Sequence, residues 1–201
     1  MQIALIDYGA GNLTSVRKGF AAVGGELVTP GAPEALADCA GIVVPGVGHF
    51  GATAGLAGAW REAIAGRIAA GVPVLGICLG LQWLFDGSDE APEVEGFGLI
   101  AGRCARMAVE RPLKIPHVGW NKLEIARDCA ILDGVADGTQ VYFTHSFSAP
   151  VTAECAAWTT HGARFAAVVQ RANVAGVQFH PEKSGTAGLR ILRNFAAMAE
   201  R

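Results

Sequence analysis

Short apolar runs and amphipathic stretches alternate along the first half of the chain. Residues 2–7 form an apolar run that reads as a strand, and Leu13, Val16, Phe20 and Val23 then recur at helical spacing. Gly41–Val44 reads as a buried strand that stops at Pro45. Leu56, Trp60, Ile64 and Ile68 form an i,i+4 stripe, which predicts a helix over 52–70. Val74–Ile77 is the next strand, and 79–85 begins the next helix. Strand–helix–strand repetition predicts a parallel sheet with helices on both faces.

The second half changes rhythm. Short runs at 104–110, 118–123, 141–143, 154–158, 166–171 and 174–179 are separated by turn residues. They read as strands joined by hairpins, with Ala172-Asn173 as a tight turn. A closing helix starts near Thr186 and turns Leu189, Leu192, Phe195 and Met198 inward. The expected fold is α/β: a mostly parallel central sheet flanked by helices, with additional antiparallel strands in the second half. No internal repeat, low-complexity tract or linker interrupts the pattern, so 1–201 reads as one domain.

Composition narrows the class. The chain has 201 residues, 51% hydrophobic and 17% charged, which suits a well-buried core and argues against disorder. A net charge of -2 gives no electrostatic footprint for a nucleic-acid partner. The first residues lack the basic start and cleavage region of a signal peptide, and no apolar run is long enough to span a membrane. The expectation is a soluble, cytoplasmic protein. Cys39, Cys78, Cys104, Cys129 and Cys155 are odd in number and lack C-x-x-C spacing, so neither a disulfide framework nor a metal site is expected.

Cys78 stands apart from the other cysteines. It sits in Gly76-Ile77-Cys78-Leu79-Gly80, between a strand and a helix-like run. Flanking glycines permit a sharp turn that projects the side chain at its tip. A helix N-terminus beside it favours a thiolate, the nucleophilic form of cysteine. Far along the chain, Gly176-Val177-Gln178-Phe179-His180-Pro181-Glu182 carries an imidazole at a strand end with a carboxylate two residues on. Pro181 biases His180 towards extended backbone, in which residues two apart share a side. Cys78, His180 and Glu182 then supply nucleophile, base and orienter. A His-Pro-Glu segment alone is more commonly a loop after a strand; the pairing with Gly-x-Cys-x-Gly at another strand end is what favours catalysis.

A third element is Pro45-Gly46-Val47-Gly48-His49-Phe50-Gly51. Its backbone N–H groups, with that of Leu79, could form an oxyanion hole; a plain strand-to-helix turn is the other reading. His49 reads as a loop residue rather than a second base.

Together these motifs resemble the triad class (class I) of glutamine amidotransferases. Within it they resemble the glutaminase subunits of imidazole glycerol phosphate synthase. The resemblance runs over Asp7–Leu13, Pro45–Gly51, Gly76–Gln82, Ile115–Asn121, Tyr142–Phe147 and Gly176–Ser184. The first segment and Pro116-His117-Val118-Gly119-Trp120-Asn121 point to that subunit; the nucleophile turn and His-Pro-Glu belong to the wider class. The family usually has tyrosine where Phe147 stands, and often a polar residue where Gly185 stands.

The resemblance implies hydrolysis of L-glutamine to glutamate and ammonia by Cys78, His180 and Glu182, without a cofactor. It implies an oxyanion hole from Val47, Gly48 and Leu79, with glutamine held by Gly46, Gln82, His145 and Ser146. It also implies a heterodimer with a (β/α)8-barrel cyclase subunit, which uses the ammonia to form imidazole glycerol phosphate and aminoimidazole carboxamide ribotide in histidine biosynthesis. Asn12, Trp120, Asn121 and Lys183 would lie near that contact, although helix capping or surface polarity also explains Asn12 and Lys183.

Four rivals remain at this point. A glutaminase subunit of another synthase, such as that for pyridoxal phosphate, would share the triad. A cysteine hydrolase or peptidase of the same fold class would share the nucleophile turn. A dinucleotide-binding module is suggested by Gly9-Ala10-Gly11, but Thr14 stands where the third glycine belongs. A non-catalytic interaction subunit would have no use for a complete triad.

Overall fold

The computed structural model describes residues 2–110 and 112–200. Its first half runs β1 (Gln2–Leu5), α1 (Leu13–Ala21), β2 (Glu26–Val28), β3 (Gly41–Val44), α2 (Ala59–Ala69), β4 (Val74–Ile77) and α3 (Leu79–Trp83). Next come β5 (Phe85–Ser88), β6 (Ile100–Arg106), β7 (His117–Lys122), β8 (Glu124–Ile125), β9 (Gln140–His145) and β10 (Phe147–Ser148). β11 (Cys155–His161), β12 (Ala163–Arg171), β13 (Val174–Val177) and α4 (Gly185–Ala199) complete the chain.

The main sheet has the order β2-β1-β3-β4-β13-β12-β11-β8. The first five of these strands are parallel neighbours, and β12, β11 and β8 extend the sheet antiparallel. This matches the expected fold class. β3, β4 and β13 are buried at every position, as strands covered on both faces must be.

One face packs against α1 and α4, with Val16, Phe20, Ile191, Leu192 and Phe195 buried against Leu5, Leu75 and Val177. Phe20 and Phe195 meet edge to face at 6.1 Å. The opposite face takes Ile64 of α2 and Leu81, Trp83 and Leu84 at α3. A two-stranded sheet, β7-β9, and a three-stranded one, β10-β6-β5, flank the main sheet.

Three expectations change. The helix predicted over 52–70 is a 3-10 segment, Phe50–Leu56, followed by α2. The break falls at Gly58, whose φ of 59° the apolar stripe could not reveal. The helix predicted over 79–85 ends at Trp83, because Phe85 is taken into β5. In α4 the fully buried stripe is Gly188, Ile191, Leu192, Phe195 and Ala199, with Leu189 and Met198 half-buried beside it. The 172–173 hairpin turn is present, with Ala172 at φ 50°.

No helix among the described residues is long and apolar enough to cross a membrane. The five cysteines are free, and Cys78 is buried with Cys39, Cys104 and Cys155.

Candidate active site

β4 and β13 are adjacent parallel strands, with Gly76 opposite Gly176 and Ile77 opposite Val177. Both therefore end at the same edge of the sheet, where functional groups collect in α/β folds. Cys78 leaves β4 with its N–H donating to the Val177 carbonyl at 2.7 Å. It adopts φ 53°, ψ −102°, a conformation non-glycine residues rarely hold. The bend thus resides in the cysteine itself. Gly80 is needed for space: a Cβ there would overlap the Val44 carbonyl oxygen. The helix that follows spans only five residues, so its dipole is a smaller aid to a thiolate than the sequence pattern implied.

His180 follows β13, and its N–H donates to the Tyr142 carbonyl at 2.9 Å. Pro181–Lys183 forms a 3-10 turn, not the extended segment expected from the sequence. That turn folds Glu182 back on the ring, and Glu182 Oε1 lies 2.8 Å from His180 Nδ1. Both side chains are 2% exposed. A Nδ1–H donating to the carboxylate leaves Nε2 for the substrate side. Nε2 and Glu182 Oε2 are buried with no hydrogen-bond partner. Burial opposes the charged ring, but the nearby Cys78 sulfur and the Glu182 carboxylate outweigh it and raise His180 to about 10. The sulfur itself lies 3.6 Å from Gln178 Nε2, which donates to it, and 4.0 Å from the Thr144 carbonyl.

A cavity of about 200 Å³ opens on Cys78. Val47, Gly48, Leu79, Gln82, His145 and Ser146, all expected from the sequence, line it. Its volume is below the ~300–1,000 Å³ of drug-sized pockets, which suits an amino acid better than a nucleotide. Gly46 is buried and does not line this cavity. It borders a smaller one beside His180 and Glu182, where Asn12 also lies. A side chain at position 46 would collide with the Tyr8 hydroxyl and, at 2.6 Å, with Leu79 Cβ. The Leu79 N–H is not free. It donates to the Gly46 carbonyl at 3.4 Å, a long bond at the edge of the usual range.

The four residues assigned to a partner contact fall into two settings. Trp120 is 54% exposed and meets Tyr142 edge to face at 6.0 Å, while Lys183 Nζ stands 5.9 Å above the Tyr142 ring. They form one aromatic and cationic patch. Asn12 caps α1, its Oδ1 accepting the Ser15 N–H at 3.0 Å. Asn121 is half-buried and donates to Thr160 O and His117 Nε2. His49 caps the 3-10 segment by accepting the Gly51 N–H at 3.0 Å, apart from the Cys78 cavity.

Three residues at the site escaped the sequence reading. Glu90 lines the cavity and accepts the Phe50 N–H at 2.7 Å. Gln178 touches the sulfur; its place two residues before His180, on the same side of an extended segment, was the available signal. Tyr8 donates to the Pro45 carbonyl at 2.5 Å, and burial followed by the charge of Cys78 pushes its phenol up.

The family model for glutamine amidotransferase class-I matches residues 4–199. The imidazole glycerol phosphate synthase subunit HisH of Gloeobacter violaceus is 47% identical, over 98% of this chain and 89% of that protein. The HisH subunit of Methanothermobacter thermautotrophicus is 43% identical, over 96% of each. Among solved structures, PurLQS from Thermotoga maritima superposes with a TM-score of 0.77 at 18% identity, over 98% of this chain and 97% of that one. The glutaminase domain of Trypanosoma brucei CTPS with bound acivicin gives 0.72 at 18%, over 100% and 94%. At such identities these two structures show the fold alone.

Proposed function

The chain belongs to the class-I glutamine amidotransferases, among the HisH subunits of imidazole glycerol phosphate synthase, and we propose that Cys78, His180 and Glu182 carry out its glutamine hydrolysis. The observation that carries this reading is the convergence of Cys78 with the 2.8 Å His180–Glu182 pair at the ends of neighbouring strands, above a cavity of amino-acid size.

His180 accepts the thiol proton of Cys78 at Nε2, and Glu182 stabilises the imidazolium at Nδ1. The thiolate attacks the side-chain carboxamide carbon of glutamine, giving a tetrahedral oxyanion. His180 returns the proton to the departing nitrogen, and ammonia leaves a γ-glutamyl thioester. Water, deprotonated by His180, then attacks the thioester carbonyl and releases glutamate, with the proton going back to the sulfur.

The oxyanion is assigned to the N–H groups of Leu79, Val47 and Gly48. Because the Leu79 N–H donates to the Gly46 carbonyl, that carbonyl has to yield when the oxyanion forms. One such donor is worth ~3 kcal/mol of transition-state stabilisation. Gln82 and Ser146 hold the substrate, His145 supports it through the Phe147 carbonyl that its Nδ1 holds, and Glu90 offers the carboxylate that an α-ammonium requires. Gly46 acts on the substrate indirectly, by fixing the loop.

Ammonia protonated in bulk water loses its nucleophilic lone pair, so a sheltered route to a second active site is needed. We assign that site to a (β/α)8-barrel cyclase in a heterodimer, with Trp120 and Lys183 at the contact and Asn12 and Asn121 beside it. The test is glutamate release from glutamine by the chain alone and with a cyclase subunit. Turnover that rises on adding the cyclase is expected. No turnover in either condition overturns the assignment.

A further inference from the structure

Three histidines gather beside the Cys78 cavity, outside the triad: His117 on β7, His145 at the end of β9 and His161 at the end of β11. His117 and His145 are buried, 4% and 6% exposed. Their contacts leave only one arrangement of protons. His145 Nδ1 lies 3.0 Å from the Phe147 carbonyl, which can only accept, so Nδ1 carries the proton. A neutral His145 then presents a bare Nε2, and His117 Nδ1 lies 3.1 Å from it and must donate. That leaves His117 Nε2 as an acceptor, 3.3 Å from Asn121 Nδ2. Asn121 uses its other N–H on Thr160 O and its oxygen on the Lys122 N–H. Hydrogen bonds therefore point one way, from Asn121 through His117 and His145 to the Phe147 carbonyl.

The end of this relay is a wall of the cavity. The Phe147 carbonyl also accepts from Gln82 Nε2 at 2.8 Å, so both of its lone pairs are used. The second N–H of Gln82 goes to Gln178 Oε1 at 3.2 Å, and Gln178 in turn donates to the Cys78 sulfur. With both N–H groups committed, Gln82 offers its side-chain oxygen to the cavity it lines.

We propose that His117 is a positioning residue for glutamine: by donating to His145 Nε2 it locks His145 in the Nδ1–H tautomer, and so fixes the Phe147 carbonyl and, through it, the Gln82 side chain that receives the substrate. In the opposite tautomer His145 would set a lone pair against the Phe147 carbonyl, and the 145–147 segment would have to move. Burial keeps the relay neutral. Desolvation, with the neighbouring charge of His161, lowers His117 to about 4. Desolvation outweighs the Phe147 hydrogen bond and, with the other histidines, lowers His145 to about 3. A proton added to either ring would face one N–H against another.

This inference rests on the glutaminase reading of the cavity, and its test separates the two. The tautomers are read directly from two-bond 15N–1H correlations of the labelled chain. Nδ1–H with bare Nε2 is expected for both His117 and His145; Nε2–H on either overturns the relay. The function is read from the KM for glutamine in the complex with the cyclase, using two opposed variants. His117→Phe keeps the stacking on His161 (4.1 Å) and Phe143 (4.9 Å) and loses the donor. His117→Asn loses the ring and keeps an amide donor in the place of Nδ1.

His117→Phe is expected to raise KM by about tenfold, the size of one hydrogen bond to a buried acceptor, with the effect on KM rather than kcat. His117→Asn is expected to stay nearer the unsubstituted value. The reverse order, with Phe harmless and Asn damaging, would show that the ring only packs, and would overturn the proposal. Absence of glutamine turnover in the unsubstituted complex would instead defeat the reading of the cavity, whatever the tautomers.

Discussion

His180 answers to two neighbours at once, and its behaviour should show it. Glu182→Gln removes the carboxylate that holds Nδ1 and stabilises the imidazolium. Glutamine hydrolysis is expected to fall by on the order of 10²-fold or more, the usual share of general acid–base catalysis, with ammonium-dependent synthesis by the complex retained. Stability is linked to the same ring. A histidine raised to about 10 in the folded state binds its proton more tightly there than in the unfolded chain, with its ordinary value of 6.5. Its contribution is complete below pH 6.5 and is lost as pH rises towards about 10. The difference in urea midpoint between the unsubstituted chain and His180→Asn should therefore shrink across that window. A difference that grows with pH would contradict the assignment. At this scale the proposed triad stood out because its members carry glycine, proline and spacing signals. His117, Glu90 and Gln178 were not, because each acts through a partner distant in sequence: His145, Phe50 and Cys78.

Among the elements, the β4–α3 turn is the one whose geometry the chemistry needs. The tip residue takes the strained φ, and Gly80 passes against the β3 carbonyl of Val44. Gly80→Ala forces these apart. Overpacking of this kind costs about 1–3 kcal/mol, and the lost activity should exceed what unfolding explains. Chemical denaturation and glutaminase rate measured on the same samples check this; a fully active Gly80→Ala chain would contradict it. Four of the parallel strands, β1, β3, β4 and β13, were readable as apolar runs; the three-residue β2 was too short to stand out. What misled the reading was local. Gly58 breaks an apolar stripe that looks continuous, and Phe85 serves a strand although it fits a helix. The 181–183 turn shows the converse: His180 and Glu182 meet, but through a 3-10 turn rather than extended chain. Neighbouring strands in a sheet are set by long-range pairing, so the adjacency of β4 and β13, which carries Cys78 and His180 to the same sheet edge, could only be inferred from the functional match.

The whole molecule presents two kinds of surface beyond the ends of β4 and β13. The Cys78 cavity is polar and of amino-acid size, and nearby Trp120, Tyr142 and Lys183 form an exposed aromatic and cationic patch. Exposed tryptophans of this kind are frequent anchors at interfaces. Trp120→Ala is expected to weaken binding to the cyclase by about 2 kcal/mol, measurable by titration calorimetry, while leaving the isolated chain folded. Unchanged affinity would move the contact elsewhere.

With Cys78 as the nucleophile, ammonia is generated there and consumed elsewhere. The most direct test is Cys78→Ala in the complex with the cyclase, with product formation measured once with glutamine and once with ammonium as nitrogen donor. Glutamine is expected no longer to support synthesis, while ammonium still does. Undiminished synthesis from glutamine would contradict it.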